Sequence, residues 1–189
     1  MSQHLVPDIL AILSEGRDMT LATTLPDGGP HAVVVSYASD GLTIYFGCSP
    51  GSQKARNLAR DDRVALTVTL PYRDWGQIRG LSLCGRARPV APGEAQDRVA
   101  LLFAAKFSEI AQYISTAGED LALFAVTPEV IGVLDYRKGF GHVKHVRVLQ
   151  ADPPRTAFLA DADVAAGAAS IPRSGPAGNG MIERVRSGT

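Results

Sequence analysis

The stretch Ile44-Tyr45-Phe46-Gly47-Cys48-Ser49-Pro50-Gly51-Ser52-Gln53-Lys54-Ala55-Arg56-Asn57-Leu58 holds the most chemistry in the chain. A strand pattern ends at Cys48, a Gly- and Ser-rich turn follows, and a helix opens with a lysine in its first turn. The free N–H groups of a first helical turn point outward, and the helix dipole favours negative charge there. Lys54 adds a full positive charge, and the Ser49 and Ser52 hydroxyls can donate to phosphate oxygens. This is the residue pattern of an anion site. An ordinary capped helix with solvated Lys54 and Arg56 would use the same residues.

A second constellation runs from Tyr136 to His145 and contains Arg137, Lys138, Gly139, Phe140, Gly141, His142 and Lys144. Two glycines around Phe140 predict a tight connection between strands. That loop can close over a cofactor or an anionic substrate with Phe140 stacking on a ring, or it can be a plain basic turn. His142 and His145 lack a third ligand for a metal. Trp75, with Tyr72 and Arg73, reads either as a loop that packs over a partner copy or as a loop anchor. No Gly-x-Ser-x-Gly elbow is present, and Asp61-Asp62 and Glu119-Asp120 read as solvated helix and turn ends.

These groups need elements to hold them. Leu5, Ile9, Ile12 and Leu13 recur at helical spacing, with Pro7 early and Gly16 as the stop. The period then changes to two. Met19, Leu21, Thr23 and Leu25 mark a strand, and Pro26-Asp27-Gly28-Gly29-Pro30 marks a turn. Val33-Val34-Val35 lies in a strand expected to be covered on both faces. Ser39-Asp40-Gly41 turns the chain into a third strand, Leu42 to Cys48, and the three are expected to form an antiparallel meander. A short helix from an N-cap at Ser52 runs through about Arg60. Val64, Leu66, Val68 and Leu70 give the cleanest strand signal. A long strand follows from about Gln77 to Val90. A helical stretch from Pro92 carries Ala95, Val99, Leu102 and Phe103, then a second stripe of Phe107, Ile110, Ala111 and Ile114. Leu121–Tyr136 and Val143–Leu149 are extended. The pattern predicts a mainly β fold, an antiparallel Greek-key barrel of about six strands with two or three flanking helices.

The chain has 189 residues, 46% hydrophobic and 20% charged, as expected for one soluble domain with a proper core. Nineteen Lys and Arg balance nineteen Asp and Glu. No long-range field is available for nucleic acid or an anionic membrane, so neither is expected as a partner. Met1–Asp8 does not read as a signal peptide, and no apolar run approaches membrane-spanning length, which makes the cytoplasm the expected location. Cys48 and Cys84 read as two buried, reduced thiols, with a disulfide between them left open by the sequence. Residues 1–150 are expected to form the domain. Eighteen of the 39 residues from Ala151 onward are Ala, Gly or Pro, so 151–189 is expected to be a loosely held tail.

The anion-site segment, preceded by the Pro-Asp-Gly-Gly-Pro and Ser-Asp-Gly turns, resembles the pyridoxamine 5′-phosphate oxidase-like FMN-binding split-barrel superfamily. The resemblance spans about Asp8 to Leu149. It is sharpest from Asp40 to Leu58, at Asp62-Arg63-Val64-Ala65-Leu66 and at Leu81-Ser82-Leu83-Cys84-Gly85-Arg86-Ala87. Val126-Thr127-Pro128-Glu129-Val130 and the aromatics around Tyr136 also match. It implies a homodimer with FMN in a groove between the subunits and a small-molecule substrate. Ser52, Gln53 and Lys54 would hold the phosphate. The ring edge would meet the strand from His31 through Val33 and Val34 to Ser36, and Gly47, Cys48 and Ser49. Gln53 and His31 stand where arginines are common, and Cys48 replaces a common Thr. Gly80 falls where the oxidase itself places a Gln, with Gln77 or Arg79 close enough to substitute. One lost charged hydrogen bond costs about 1.5–3 kcal/mol, enough to loosen FMN about tenfold or more. The departures point away from pyridoxamine phosphate oxidation itself. Relatives bind the deazaflavin F420 or haem in a similar groove, and these are the alternative cofactors.

Overall fold

The computed structural model describes residues 5–109, 121–149 and 155–158. Helix α1 spans Val6–Glu15 and buries Ile9, Ile12 and Leu13, the expected stripe, with Pro7 in its first turn. Gly16 ends it by donating its N–H to Ile12 O at 2.9 Å. The strands are β1 (Asp18–Thr24), β2 (Pro30–Ser36), β3 (Ala38–Asp40), β4 (Thr43–Cys48), β5 (Arg63–Thr69), β6 (Arg79–Pro89), β7 (Ala122–Asp135), β8 (Val143–Leu149) and β9 (Arg155–Phe158). Helix α2 (Gln53–Leu58) joins β4 to β5, and α3 (Glu94–Lys106) lies between β6 and β7. Strand β5 alternates strictly, burying Val64, Leu66 and Val68 and exposing the residues between them.

The strands form one antiparallel sheet in the order β2-β1-β5-β6-β7-β4-β3, with β8 on β7 and β9 on β8. Strands β2 and β3 end opposite edges of that path, yet only Tyr37 separates them in the chain. Two residues of extended chain span about 7 Å, so the edges must meet and the sheet must curl. Long β7 belongs to both parts of the split barrel, pairing with β4 at 122–126 and with β8 at 130–134. Tyr37 seals the closure. It is fully buried, and its hydroxyl donates to Leu13 O at 3.0 Å. A Cβ on Gly16 would lie 2.6 Å from that hydroxyl, so this approach needs glycine. Burial, reinforced by Asp18, pushes the Tyr37 phenol well above its ordinary range.

The main core fills the barrel, and a smaller cluster of Ala38, Val99, Phe103 and Phe107 lies under α3. The mainly β split barrel with flanking helices is as expected, but the strand count is nine among the described residues, not six. Short β3 is set apart from β2 by the closure at Tyr37. Strand β9 lies within the Ala-, Gly- and Pro-rich stretch, and the rest of that stretch, 150–154 and 159–189, lies outside the described residues. So do Ile110, Ala111, Ile114 and Glu119-Asp120. The meander is corrected: β2 pairs with β1 and β4 with β3 and β7, because closure carries the chain across the barrel. The covered second strand is corrected too, since Val34 points outward and is 71% exposed. Cys48 is buried as expected, whereas Cys84 is exposed on the outer face of β6. Among the described residues no helix is long and apolar enough to cross a membrane.

Candidate functional site

The turn after β4 is built by local bonds. Ser52 N donates to Ser49 O at 3.0 Å, and extended Ser52 caps α2 by accepting from Ala55 N at 3.4 Å. Because that hydroxyl accepts from the helix, its own proton stays available. Helix α2 has six residues and buries Ala55, Asn57 and Leu58. So short a helix has little dipole, so the electrostatics rest on side chains. Lys54 is half-buried, and no described hydrogen bond or ion pair involves its ammonium. Ser49 is exposed beside it in sequence, and Cys48 lies buried beneath the turn.

Gln53 is turned inward. Its amide donates to Asn57 Oδ1 at 2.8 Å and its carbonyl accepts from Arg56 at 2.8 Å. Arg56 also donates to Gly51 O, so its guanidinium folds back over the turn. Where the resemblance leads one to expect an arginine at position 53, the positive charge sits three residues later. Buried Asn57 donates to buried Thr23 Oγ1 at 3.0 Å, and that hydroxyl lies 3.3 Å from His31 Nδ1. The same hydroxyl reaches the His31 carbonyl oxygen at 3.5 Å, so Thr23 touches both the ring and the backbone of His31. Thr23 and Asn57, which sequence reasoning passed over, thus join His31 to Gln53. Thr23 enters the sequence pattern only as a strand position and Asn57 only as part of the turn–helix segment, and no local pattern brings the two together.

Strand β2 presents Ala32, Val34 and Ser36 outward, while Val33 is half-buried against the core. Ser36 Oγ donates to Asp18 at 2.6 Å. At Gly47 an added Cβ would lie 3.2 Å from the Leu121 side chain and 3.3 Å from that of Leu123, so the missing side chain lets β7 close in. His31, Ser49, Ser52, Gln53 and Lys54 therefore gather at one end of the barrel.

Arg79 and Gly80 do not join them within one chain. Ala22 pairs with Ala65 and Ala65 with Cys84, whereas Gly80 pairs with Thr69. The two sets are separated by at least four residues of β6, about 13 Å at roughly 3.3 Å per residue. A Cβ on Gly80 would lie 2.7 Å from Val68 O, so no side chain fits there. Arg79 lies 3.6 Å from Glu15 and lines a cavity of about 520 Å³ with Gln77 and Arg137.

At that far end the two aromatic constellations meet. The Trp75 and Phe140 rings stack at 6.1 Å, and Tyr136 tilts against Phe140 at 5.1 Å. Buried Asp135 braces the second turn by accepting from the Arg137 guanidinium at 2.8 and 2.9 Å. Arg137, with Lys138 beside it, holds the Asp135 carboxyl far below the usual carboxylate range. Among the described residues no His, Cys, Asp and Glu group can hold a metal.

A larger cavity, about 630 Å³, opens on β6 to β8 and is lined by Arg86, Arg88 and Arg147. Arg86 is engaged there by Asp62 at 2.6 Å and Glu129 at 3.0 Å.

Solved structures share this fold. A conserved hypothetical protein from Mycobacterium tuberculosis is 28% identical, with 72% of this chain and 88% of that one covered and a TM-score of 0.64. A haem-binding protein from Mycobacterium smegmatis is 20% identical, with 72% and 55% covered and a TM-score of 0.62. The chain thus spans about half the length of that protein. The haem storage protein of Vibrio cholerae is 22% identical, with 66% and 90% covered and a TM-score of 0.57. No curated protein sequence matches this chain. The sequence model of the pyridoxamine 5′-phosphate oxidase family matches residues 5–135, and with the split barrel and its strand–turn–lysine segment the chain belongs to that family.

Proposed function

We propose that the chain is a flavin-dependent oxidoreductase that holds FMN in a groove between two copies of itself, acting on a small molecule in the cytoplasm. One observation carries the reading: in a member of this family, half-buried Lys54 stands without a described partner in the first turn of the helix that Ser52 caps. Its covered stem limits where the ammonium can reach, and a site with no described counter-charge is open to an anion. A phosphate fits there, with Ser49 and Ser52 donating and Arg56 adding charge from behind the turn. Gln53 gives one amide proton to Asn57 and its carbonyl accepts from Arg56, which leaves a single N–H for it. His31 is held in place by Thr23 for a contact on the same side, and outward Val34 offers apolar surface for a ring. When bound, FMN supplies the hydride chemistry, while the protein supplies grip, orientation and shelter from water.

The visible spectrum of the purified protein tests this reading. Flavin bands near about 370 and 450 nm are expected, with elution at the size of two chains. A colourless preparation that takes up deazaflavin F420 would replace FMN in the same groove. A single strong band near about 400 nm would favour haem, a reading whose support is the fold shared with the haem proteins.

A further inference from the structure

Strand β7 changes neighbours along one edge. It pairs with β4 at 122–126 and with β8 at 130–134, so among the described residues 127–129 is paired on its β6 side alone. Pro128 suits an unpaired edge because it has no N–H to satisfy. Glu129 is skipped where the register with β6 shifts, and such a bulge frees its side chain to reach Arg86 at 3.0 Å. The cavity of about 630 Å³ opens at this split in the barrel.

Charge around the cavity does not balance. Arg86, Arg88 and Arg147 all line it, and Asp62 and Glu129 are the carboxylates that meet them. Arg86 takes both carboxylates, at 2.6 and 3.0 Å. Arg88 stays 3.7 Å from Asp62, beyond hydrogen-bond length. Among the described residues no hydrogen bond engages the guanidinium of Arg88, and no hydrogen bond or ion pair engages that of Arg147. Two guanidinium forks therefore line one cavity with donors to spare, together with Thr127.

We infer that this split binds the phosphate of a small organic phosphate ester through Arg88, Arg147 and Thr127. Phosphate oxygens accept from planar guanidinium forks in pairs, and a hydroxyl completes the set. The cavity has the size of a small-molecule site, far more than a phosphate ion fills. Val130 and Val148 supply apolar lining for the rest of the molecule. Arg86, fixed by its two carboxylates, is scaffold. The cavity shares no lining residue with the Lys54 turn, so the inference does not rest on the flavin reading.

The full-length chain carrying Lys54→Ala, which removes the charge of the other phosphate turn, is titrated calorimetrically with phenyl phosphate and with inorganic phosphate. One saturable site for phenyl phosphate is expected, with inorganic phosphate at least tenfold weaker. Arg88→Gln or Arg147→Gln, added singly, should weaken phenyl phosphate at least tenfold. Both arginines are exposed, so these changes leave the fold intact. Arg147→Lys, which keeps the charge and loses the fork, should recover only part of the affinity. Arg73→Gln, an exposed arginine outside the cavity, should change nothing. No saturable binding, equal affinity for the two phosphates, or an equal loss in Arg73→Gln would overturn the proposal. Flavin uptake, lost in Lys54→Ala and kept in Arg147→Gln, separates failure of this site from failure of the flavin reading.

Discussion

Asn57 Nδ2 donates to Thr23 Oγ1 across 3.0 Å, with both residues buried, and this bond fastens the helix that carries Lys54 to the strand beside His31. Ser52 caps that helix, but six residues of helix have little stability of their own. Its position depends on Leu58 and Ala55 in the core and on this polar link.

Asn57→Leu should therefore destabilise the fold by about 1–3 kcal/mol, since Gln53 loses its acceptor and Thr23 its donor in a buried place. A urea unfolding midpoint measures this, and an unchanged midpoint would contradict it. Paired with Thr23→Val, the loss should be smaller than the sum of the single losses, as for groups sharing one network.

Gly85 sits at the irregularity in the pairing of β6 with β7, and a Cβ there would lie 2.3 Å from Thr127 O and 2.9 Å from Pro128 Cα. Both obstacles are backbone and cannot rotate away. Gly85→Ala should cost about 1–3 kcal/mol in thermal unfolding. Gly51→Ala, whose nearest neighbour would be Ser49 Oγ at 3.8 Å, should stay within about 0.5 kcal/mol. Equal melting temperatures for the two variants would refute the packing argument.

Lys106 donates to Leu13 O at 2.9 Å and lies 3.8 Å from the centre of the Tyr37 ring. Burial, with Arg17 adding repulsion, pulls its ammonium down to about 8 from an ordinary 10.5. Between those values the unfolded chain binds the proton that the folded chain has released, so stability should rise with pH from about 8 toward 10. Above about 10 the raised Tyr37 phenol works in the opposite direction, because it stays protonated only when folded. Urea unfolding at several pH values should show the rise in the parent protein and a flatter profile in Lys106→Met. Parallel profiles would exclude Lys106 as the cause.

Local chemistry was legible in the sequence where the residues themselves impose it. The period of two in Val64, Leu66 and Val68 placed β5, and Ser52 before Gln53 placed the start of α2. Contacts between distant segments were not legible. The run Val33-Val34-Val35 looks the same whether one face or two are covered, and only the assembled sheet leaves Val34 outside. The closure through Tyr37 turned an apparent meander into two edges of one curled sheet. At the site, Lys54 stood out by its charge after a turn. The inward rotation of Gln53 and the meeting of Trp75 with Phe140 depend on partners that no local pattern names.

Calorimetric titration of the parent protein and Lys54→Met with FMN and with riboflavin, which lacks the phosphate, addresses the central claim most directly. The parent should bind FMN at least about tenfold more tightly than riboflavin. Lys54→Met should abolish that preference while riboflavin affinity holds, as one charged contact of about 1.5–3 kcal/mol requires. Equal affinity of the parent for the two flavins, or a phosphate preference that survives in Lys54→Met, would contradict a phosphate grip at this turn.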